Sequence, residues 1–504
     1  MKLIYVILFA ALLCGCNSVY DYVSISDIGE YSREAAFVKS ILEGNEDIIA
    51  LGLRIHPDTP GNYQGSHQPL LRIEFLSSWE FEGAYGDILI SRKILIPRDD
   101  MLAERTDTTL ASCLDGSETL IEIDELEPPF VALRVDGLAL GDNGYPLCRA
   151  VGIRFHTLNE SKSNDSAFLQ KIAFLENLIN QSPKPLVQTM PEPLWITSGG
   201  DMMLERGATE ILLSEGPAGI FGRTAEMFAS SDVALVNLEG VISARGERVP
   251  KSYNFRFVPE VAAALRDTGI DAVLHANNHV FDYGEEAFLD SLSWLHRAGV
   301  GVVGAGIDDD AASEPFVFSK GEDTCRVFGI ASFPRERNGW DGETVAALPD
   351  RPGMLHARVG GREKLKERMA PNDATLNVIL FHGGIEYSPR SDAATRELYT
   401  DLIASGADLV IGTHPHVVQG FEWVLGKPVF WSLGNFIFGG MNYIDGASDG
   451  LFIRLGYWRG RLLYLEPFPV YLDNVRTDIA AQERLAVFYA RSRDLRRMQS
   501  AVQP

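Results

Sequence analysis

From Leu194 onward, five short strand-like runs each end in residues that can hold metal ions. Trp195-Ile196-Thr197-Ser198 leads into Gly199-Gly200-Asp201, and the run 233–236 leads into Asn237-Leu238-Glu239. The run 272–274 leads into His275-Ala276-Asn277-Asn278-His279, the run 378–381 into His382-Gly383-Gly384, and the run 409–411 into Gly412-Thr413-His414-Pro415-His416. Amphipathic stretches such as 259–267 and 285–297 separate the runs. Apolar strands alternating with helices specify an α/β architecture, a sheet covered on both faces. Loops converge where such strands end, so five loops delivering Asp, Glu, Asn and His describe an oxygen and nitrogen metal site.

Each residue type has a role to fill there. Asp201 and Glu239 can bridge or neutralise cations, the amide oxygen of Asn278 is a neutral ligand, and imidazoles suit Zn, Mn or Fe. Two adjacent cations can clamp a phosphoryl group and generate a nucleophile from water near neutral pH. His279, beside Asn278, is placed to protonate a leaving oxygen. Taken singly, the residues have plainer readings: Asp201 as a cap or turn residue, Asn277-Asn278 as a turn, His382 as a structural histidine. Taken together, in five strand-to-loop positions, they point to a site.

The order and spacing of these segments resemble the CapA family, the capsule-synthesis proteins associated with poly-gamma-glutamate. The resemblance runs from about Leu194 to Phe438. It is carried by Gly200-Asp201-Met202-Met203-Leu204, Asn237-Leu238-Glu239, Asn254-Phe255-Arg256, Ala276-Asn277-Asn278-His279 with Asp282-Tyr283-Gly284, His382-Gly383-Gly384-Ile385-Glu386-Tyr387, Gly412-Thr413-His414-Pro415-His416-Val417 and Ser432-Leu433-Gly434-Asn435-Phe436. That family is similar in turn to calcineurin-like metallophosphoesterases. The resemblance implies a four-layer α/β/β/α sandwich and a site for one or two divalent ions (Mn, Zn, Fe or Mg). Asp201, Asn278, His382, His414 and His416 match metal-ligand positions and His279 the catalytic histidine, with Glu239 as a further ligand. Asn237, Arg256 and Glu386 are the expected substrate-binding residues, Arg256 through an anionic substrate group. Two departures stand out. Those hydrolases begin Asp-x-His, whereas Asp201 is followed by Met202-Met203, and their bridging Asp is replaced by Asn237 and Glu239. If Met203 stands in the imidazole's place, one metal position is weaker than the other.

Residues 20–160 read differently. Leu71, Ile73 and Phe75 alternate with polar residues, as do Val131, Leu133 and Val135, and Val151, Ile153 and Phe155. Period two predicts a β-rich accessory domain with an antiparallel sheet or sandwich. Phe168, Ile172, Leu175 and Leu178 recur at helical spacing. Pro183, Pro185, Pro191 and Pro193 then make a stiff connector, so the expected boundaries are 20–160, a helix and linker at 161–193, the α/β domain at 194–470, and a C-terminal helix and tail at 471–504. Thr477 or Asp478 is the expected cap of that last helix, with Leu485, Phe488 and Leu495 on its inner face.

The first 16 residues read as a lipoprotein signal peptide. Lys2 precedes the apolar run 3–13, which is shorter than the roughly 20 residues a bilayer span needs. Leu13-Cys14-Gly15-Cys16 resembles a lipoprotein cleavage box that leaves Cys16 lipidated; a plain secretory signal is the alternative. The expectation is a cell-envelope protein, lipid-anchored outside the cytoplasmic membrane, where Cys113 and Cys148 have an oxidising setting in which to pair. A net charge of −24 argues against nucleic-acid binding. The expected role is synthesis, export or anchoring of an anionic capsule polymer, with a phosphate-bearing substrate or membrane synthase subunits as partners. The rival readings are a metal-dependent phosphoesterase acting on a small or lipid-linked phosphate, and a non-catalytic, metal-stabilised scaffold.

Overall fold

A computed structural model describes residues 192–502 except 337–338 and 371–374, preceded by separate strands between 21 and 157 and the helix Ser166–Gln181. The cleavage box at Cys16, most of the connector 181–193, and the side chains of Cys113 and Cys148 lie outside the described residues. The chain divides into two compact units. The first comprises Met1–Leu95, Leu110–Asp124 and Leu138–Pro191, and the second Ile96–Thr109, Glu125–Gly137 and Glu192–Pro504.

In the first unit, Cys148–Thr157 pairs antiparallel with Leu71–Ser77 and with Ile90–Leu95. Asp21–Ile25, however, lies parallel to both of its neighbours. The sheet is therefore mixed, where alternation alone suggested an antiparallel one; period two reports a half-buried strand and carries no information about its direction. In the helix Ser166–Gln181, Phe168 and Leu175 are buried seven positions apart, as an apolar stripe requires.

The second unit is built on two sheets. The first contains β1 (Leu194–Met203), β2 (Val233–Leu238), β3 (Ala272–Leu274) and β4 (Gly301–Val303), all parallel. The second contains β5 (Phe316–Lys320), β6 (Asp323–Ser332), β7 (Leu376–Gly383), β8 (Leu409–Thr413), β9 (Phe421–Val424) and β10 (Lys427–Phe430), in the order β5-β6-β7-β8-β10-β9 with β6, β7, β8 and β10 parallel. β11 (Asn435–Phe438), β12 (Asp449–Trp458), β13 (Arg461–Asp473) and β14 (Arg476–Ile479) return to the first sheet, whose order is β4-β3-β2-β1-β12-β13-β14, with β11 also beside β1.

Alternate residues of each strand serve different clusters. Val233 and Leu235 of β2 join Val327, Val378 and Ile411 of the second sheet in one apolar cluster. Ala234, Val236 and Leu238 join Leu212, Phe228, Val261 and Leu265 from helices in another. Phe328, Ile379 and Val410 pack with Leu365, Leu398 and Leu402 in a third. A strand buried on both faces is apolar along most of its length, and β2 has all six residues buried, with Asn237 near its C-terminal end as the one polar member. The helix Gly284–Ala298 shows the complementary pattern. It buries Ala287, Phe288, Ser291 and Leu295, has Glu285 and Glu286 in its first turn and His296 and Arg297 in its last, and stops at Gly299 with φ 80°. Burying Phe288 completely contributes about 2–3 kcal/mol.

The last helix begins later than Thr477 and Asp478 suggest. Both lie in β14, which turns back on β13 through Asn474 at φ 60°. The helix is Leu485–Val502, and Leu485, Phe488 and Leu495 are buried as expected. Cap-like residues are also turn and strand-end residues, and the pairing that settles the matter is not local. Among the described residues no helix is long and apolar enough to cross a membrane.

Candidate metal centre

The C-terminal ends of β1, β2, β3, β7 and β8 meet. β1 delivers Asp201 in a tight setting: its N–H donates to the Gly434 carbonyl at 3.0 Å. A Cβ on Gly200 would lie 1.9 Å from that same oxygen, so only glycine permits the approach. After β8 the chain enters the left-handed region twice, at His414 (φ 95°) and His416 (φ 58°). Each such non-glycine conformation costs about 1–3 kcal/mol. The first lets the His414 N–H donate to Asp201 Oδ2 at 3.0 Å.

Two groups of ligand-type atoms result. Asp201, Glu239 and His416, all buried, offer atoms that lie within 4.8 Å of one another. Beside them, His382 Nε2 is 3.0 Å from Asn278 Oδ1 and 3.0 Å from His414 Nδ1. Asn237 stands between the groups. Its amide donates to Asp201 Oδ1 at 2.8 Å and lies 3.1 Å from His382 Nδ1, and its Oδ1 accepts from Asn277 at 3.0 Å. His279 Nδ1 is 2.6 Å from Asp282 Oδ2, and His279 Nε2 lies 3.7 Å from Glu239 Oε1.

Electrostatics separate the imidazoles. Burial, reinforced by neighbouring histidines, holds His382 well below its usual value and His414 down to about 3. They are thus neutral and have lone pairs to give. Burial also lowers His279, against the pull of Asp282. Burial disfavours a charge on His416 too, but Glu239 and Asp201 outweigh it and raise His416 to about 10. Glu239 is pushed well above the carboxylate range by burial and by Asp201. Its Oε1 is buried without a hydrogen-bond partner. The imidazole nitrogens of His279 and His416 stand 3.7 and 3.9 Å away, too far to donate. A buried orphan carboxylate oxygen between imidazoles, with a proton on His416 serving as counter-charge, is an arrangement a divalent cation fits.

The remaining expected residues are placed as follows. Glu386 is exposed and acts electrostatically on Glu239 and His416. Arg256 lays its guanidinium 4.1 Å from the Tyr283 ring centre, and its backbone N–H bonds Glu205. Of the two places open to Met203, beside the metal or in the core next to Leu204, the structure has the core: Met203 is fully buried in the apolar cluster with Met202 and Leu204. Sequence reasoning gave no role to several residues. Asp282 orients His279 and lies one helical step beyond it, which is a readable signal. Asn435 holds His416 Nδ1 at 2.8 Å. Buried Lys251 pairs with Asp282 at 2.9 Å and Glu336 at 3.1 Å. Asn435 stands in the motif 432–436 but opens β11, far along the chain from Asp201, and Lys251 and Glu336 come from distant loops and left no local trace.

Two groups of buried oxygen and nitrogen donors thus meet at the ends of parallel strands, where open α/β sheets place their sites. Residues 195–440 match the family described as bacterial capsule synthesis protein PGA_cap, part of the metallophosphoesterase-like superfamily, and this region belongs to that CapA family. The chain is 27% identical over 241 residues to the PGA biosynthesis protein CapA of Bacillus subtilis, covering 47% of this chain and 62% of that protein. It is 28% identical over 265 residues to the capsule biosynthesis protein CapA of Bacillus anthracis, covering 50% and 62%. A probable polyglutamine synthesis accessory protein of Mycobacterium tuberculosis is 26% identical over 344 residues, covering 58% and 88%. The match thus spans less than two thirds of the two Bacillus proteins.

Proposed function

We propose that the second unit is a four-layer α/β/β/α, metal-binding, phosphoesterase-like domain that serves the synthesis, export or anchoring of an anionic capsule polymer. The names of the relatives support the polymer role. The orphaned Glu239 Oε1 between Asp201 and His416 is the observation that carries the metal. Asp201, Glu239 and His416 would hold one divalent ion, and Asn278, His382 and His414 a second. Such an ion polarises a phosphoryl oxygen and lowers the pKa of bound water. The chain's own contribution is orientation and proton transfer. Asn237 ties the two ligand groups together, and Asn435 aims His416. Asp282 holds His279 Nδ1, so Nε2 is the atom that exchanges a proton with a substrate oxygen. Lipid at Cys16 would keep the domain at the membrane, where synthase subunits are its partners.

The His279–Asp282 pair favours a second reading, a phosphoesterase acting on a small or lipid-linked phosphate, since a scaffold has no use for an oriented proton donor. Metal analysis of dialysed wild type and Asp201→Asn, together with a phosphatase screen in Mn²⁺, tests both readings. The expected result is at least one ion per wild-type chain and less in the variant. Hydrolysis that falls about 10²–10⁴-fold in His279→Ala, with metal content kept, selects the enzyme. Wild-type protein that holds no ion sinks the metal reading.

A further inference from the structure

Next to His279 the surface of this acidic chain turns basic. Arg206, Arg248 and Arg256 come from three different segments and are organised by two aromatic rings. The Arg256 guanidinium lies 4.1 Å from the Tyr283 ring centre, and Arg248 Nε donates to the Tyr283 hydroxyl at 3.3 Å. The Arg206 guanidinium sits 5.5 Å from the ring centre of Phe255. Phe255 in turn packs on the imidazole of His279, with ring centres 4.3 Å apart, and Tyr283 follows Asp282, the partner of His279. The group thus borders the candidate proton donor.

Two features set it apart from ordinary surface charge. None of the three guanidiniums has a carboxylate within ion-pairing distance among the described residues; Arg245 nearby does, pairing with Glu286 and Asp290. Glu205 is the nearby acid: one of its oxygens accepts from the Arg256 N–H at 2.7 Å, and its charge acts on Arg206 and Arg248 from beyond ion-pairing distance. Secondly, the placement of Arg206 is costly. Its backbone is left-handed at φ 57°, and its Nη1 donates to the Gly439 carbonyl. The chain accepts backbone strain at the residue whose guanidinium is fixed there.

We infer that Arg206, Arg248 and Arg256 form a second anion subsite, which takes an oxyanion of the substrate beyond the group that reaches the metal centre. Each guanidinium makes one hydrogen bond that fixes it, Arg206 to the Gly439 carbonyl, Arg248 to the Tyr283 hydroxyl and Arg256 to the Arg245 carbonyl, and its remaining N–H groups suit a carboxylate or phosphate. A ligand that spans both places carries at least two oxyanions, as a chain of carboxylates does. This inference deepens the polymer reading and rests on it for the identity of the ligand, but not for the site itself.

The test is calorimetric titration of the full chain, with and without chelator, using a γ-linked glutamate oligomer in one arm and tripolyphosphate in the other. Wild type, Arg206→Gln, Arg248→Gln, Arg256→Gln and the triple variant are compared, with thermal unfolding as the check on folding. A charged hydrogen bond removed at each position should weaken binding about tenfold per arginine. The loss should appear in chelator as well, since the arginines act without a metal. Stronger binding of the glutamate oligomer identifies carboxylates, and stronger binding of tripolyphosphate identifies phosphates; either supports the subsite. Binding that is unchanged in the folded triple variant overturns it while leaving the metal reading intact. A wild type that holds metal but binds neither probe overturns it equally.

Discussion

Replacing Glu239 by glutamine should stabilise the metal-free protein and destabilise the metal-bound one. Glu239 is fully buried. One of its oxygens has no hydrogen-bond partner, and the other has only the Asn237 amide at 3.4 Å. An unsatisfied buried polar atom costs about 1–3 kcal/mol, more when charged. The Asp201 carboxylate adds like-charge repulsion. Glutamine keeps the shape and removes that repulsion, which outweighs the attraction to His416 that is lost with it. We therefore expect Glu239→Gln to gain about 1–2 kcal/mol in chelator. For a large domain this raises Tm by about 2–4 °C per kcal/mol. A bound cation reverses the order. At a hundred times Kd it stabilises the wild type by about 2.7 kcal/mol, and the variant, short of one carboxylate, gains less. Thermal unfolding followed by circular dichroism, in EDTA and in Mn²⁺, reads both effects. A variant less stable than wild type in EDTA, or an equal Mn²⁺ gain in the two proteins, would refute the reasoning.

Three other outcomes are expected. Met203→His should not improve metal binding and should lower stability by about 2–4 kcal/mol, because it buries a polar ring in an apolar cluster; higher metal content in the variant would show the position faces the site. Burial holds His356 down at about 4 in the folded chain, against 6.5 when free. As pH falls, the unfolded chain takes up this proton first, so stability is lost between about 6.5 and 4 and the loss then levels off, the full effect being about 3 kcal/mol. His356→Phe should flatten that part of the pH–stability curve in urea titrations, and an unchanged slope would count against the assignment. Cys16→Ser should move the protein from the membrane to the soluble fraction of cells, whereas a wild type that is soluble and free of lipid by mass spectrometry disposes of the anchor.

Much of the site was legible in the sequence because strand ends announce themselves. An apolar run that stops at Asp201, Asn237, His382 or Thr413 states both the element and where its last side chains must go. What stayed hidden depends on pairs of distant segments. Met202, Met203 and Leu204 all enter one apolar cluster, and β1 shifts register between Ser198 and Asp201, neither of which a two-residue alternation can foresee. The Gly200–Gly434 approach needs both glycines in view at once. Lys251 and Glu336 meet beneath the Asn278 loop with nothing in their own neighbourhoods to signal it. A linear boundary also has no means of showing that Ile96–Thr109 and Glu125–Gly137 cluster with the later unit, where Arg134 pairs with Glu466. Helix and strand grammar is local, whereas the partners of a loop are not.

The left-handed histidines set fold and chemistry at odds. Glycine at 414 or 416 would relax the backbone while stripping the site of a ligand and leaving a cavity where a buried ring was. A homologue that has abandoned the chemistry should betray itself at these two positions before its apolar clusters drift, so Gly or Asn there is a sign by which retired copies of the fold can be told from working ones.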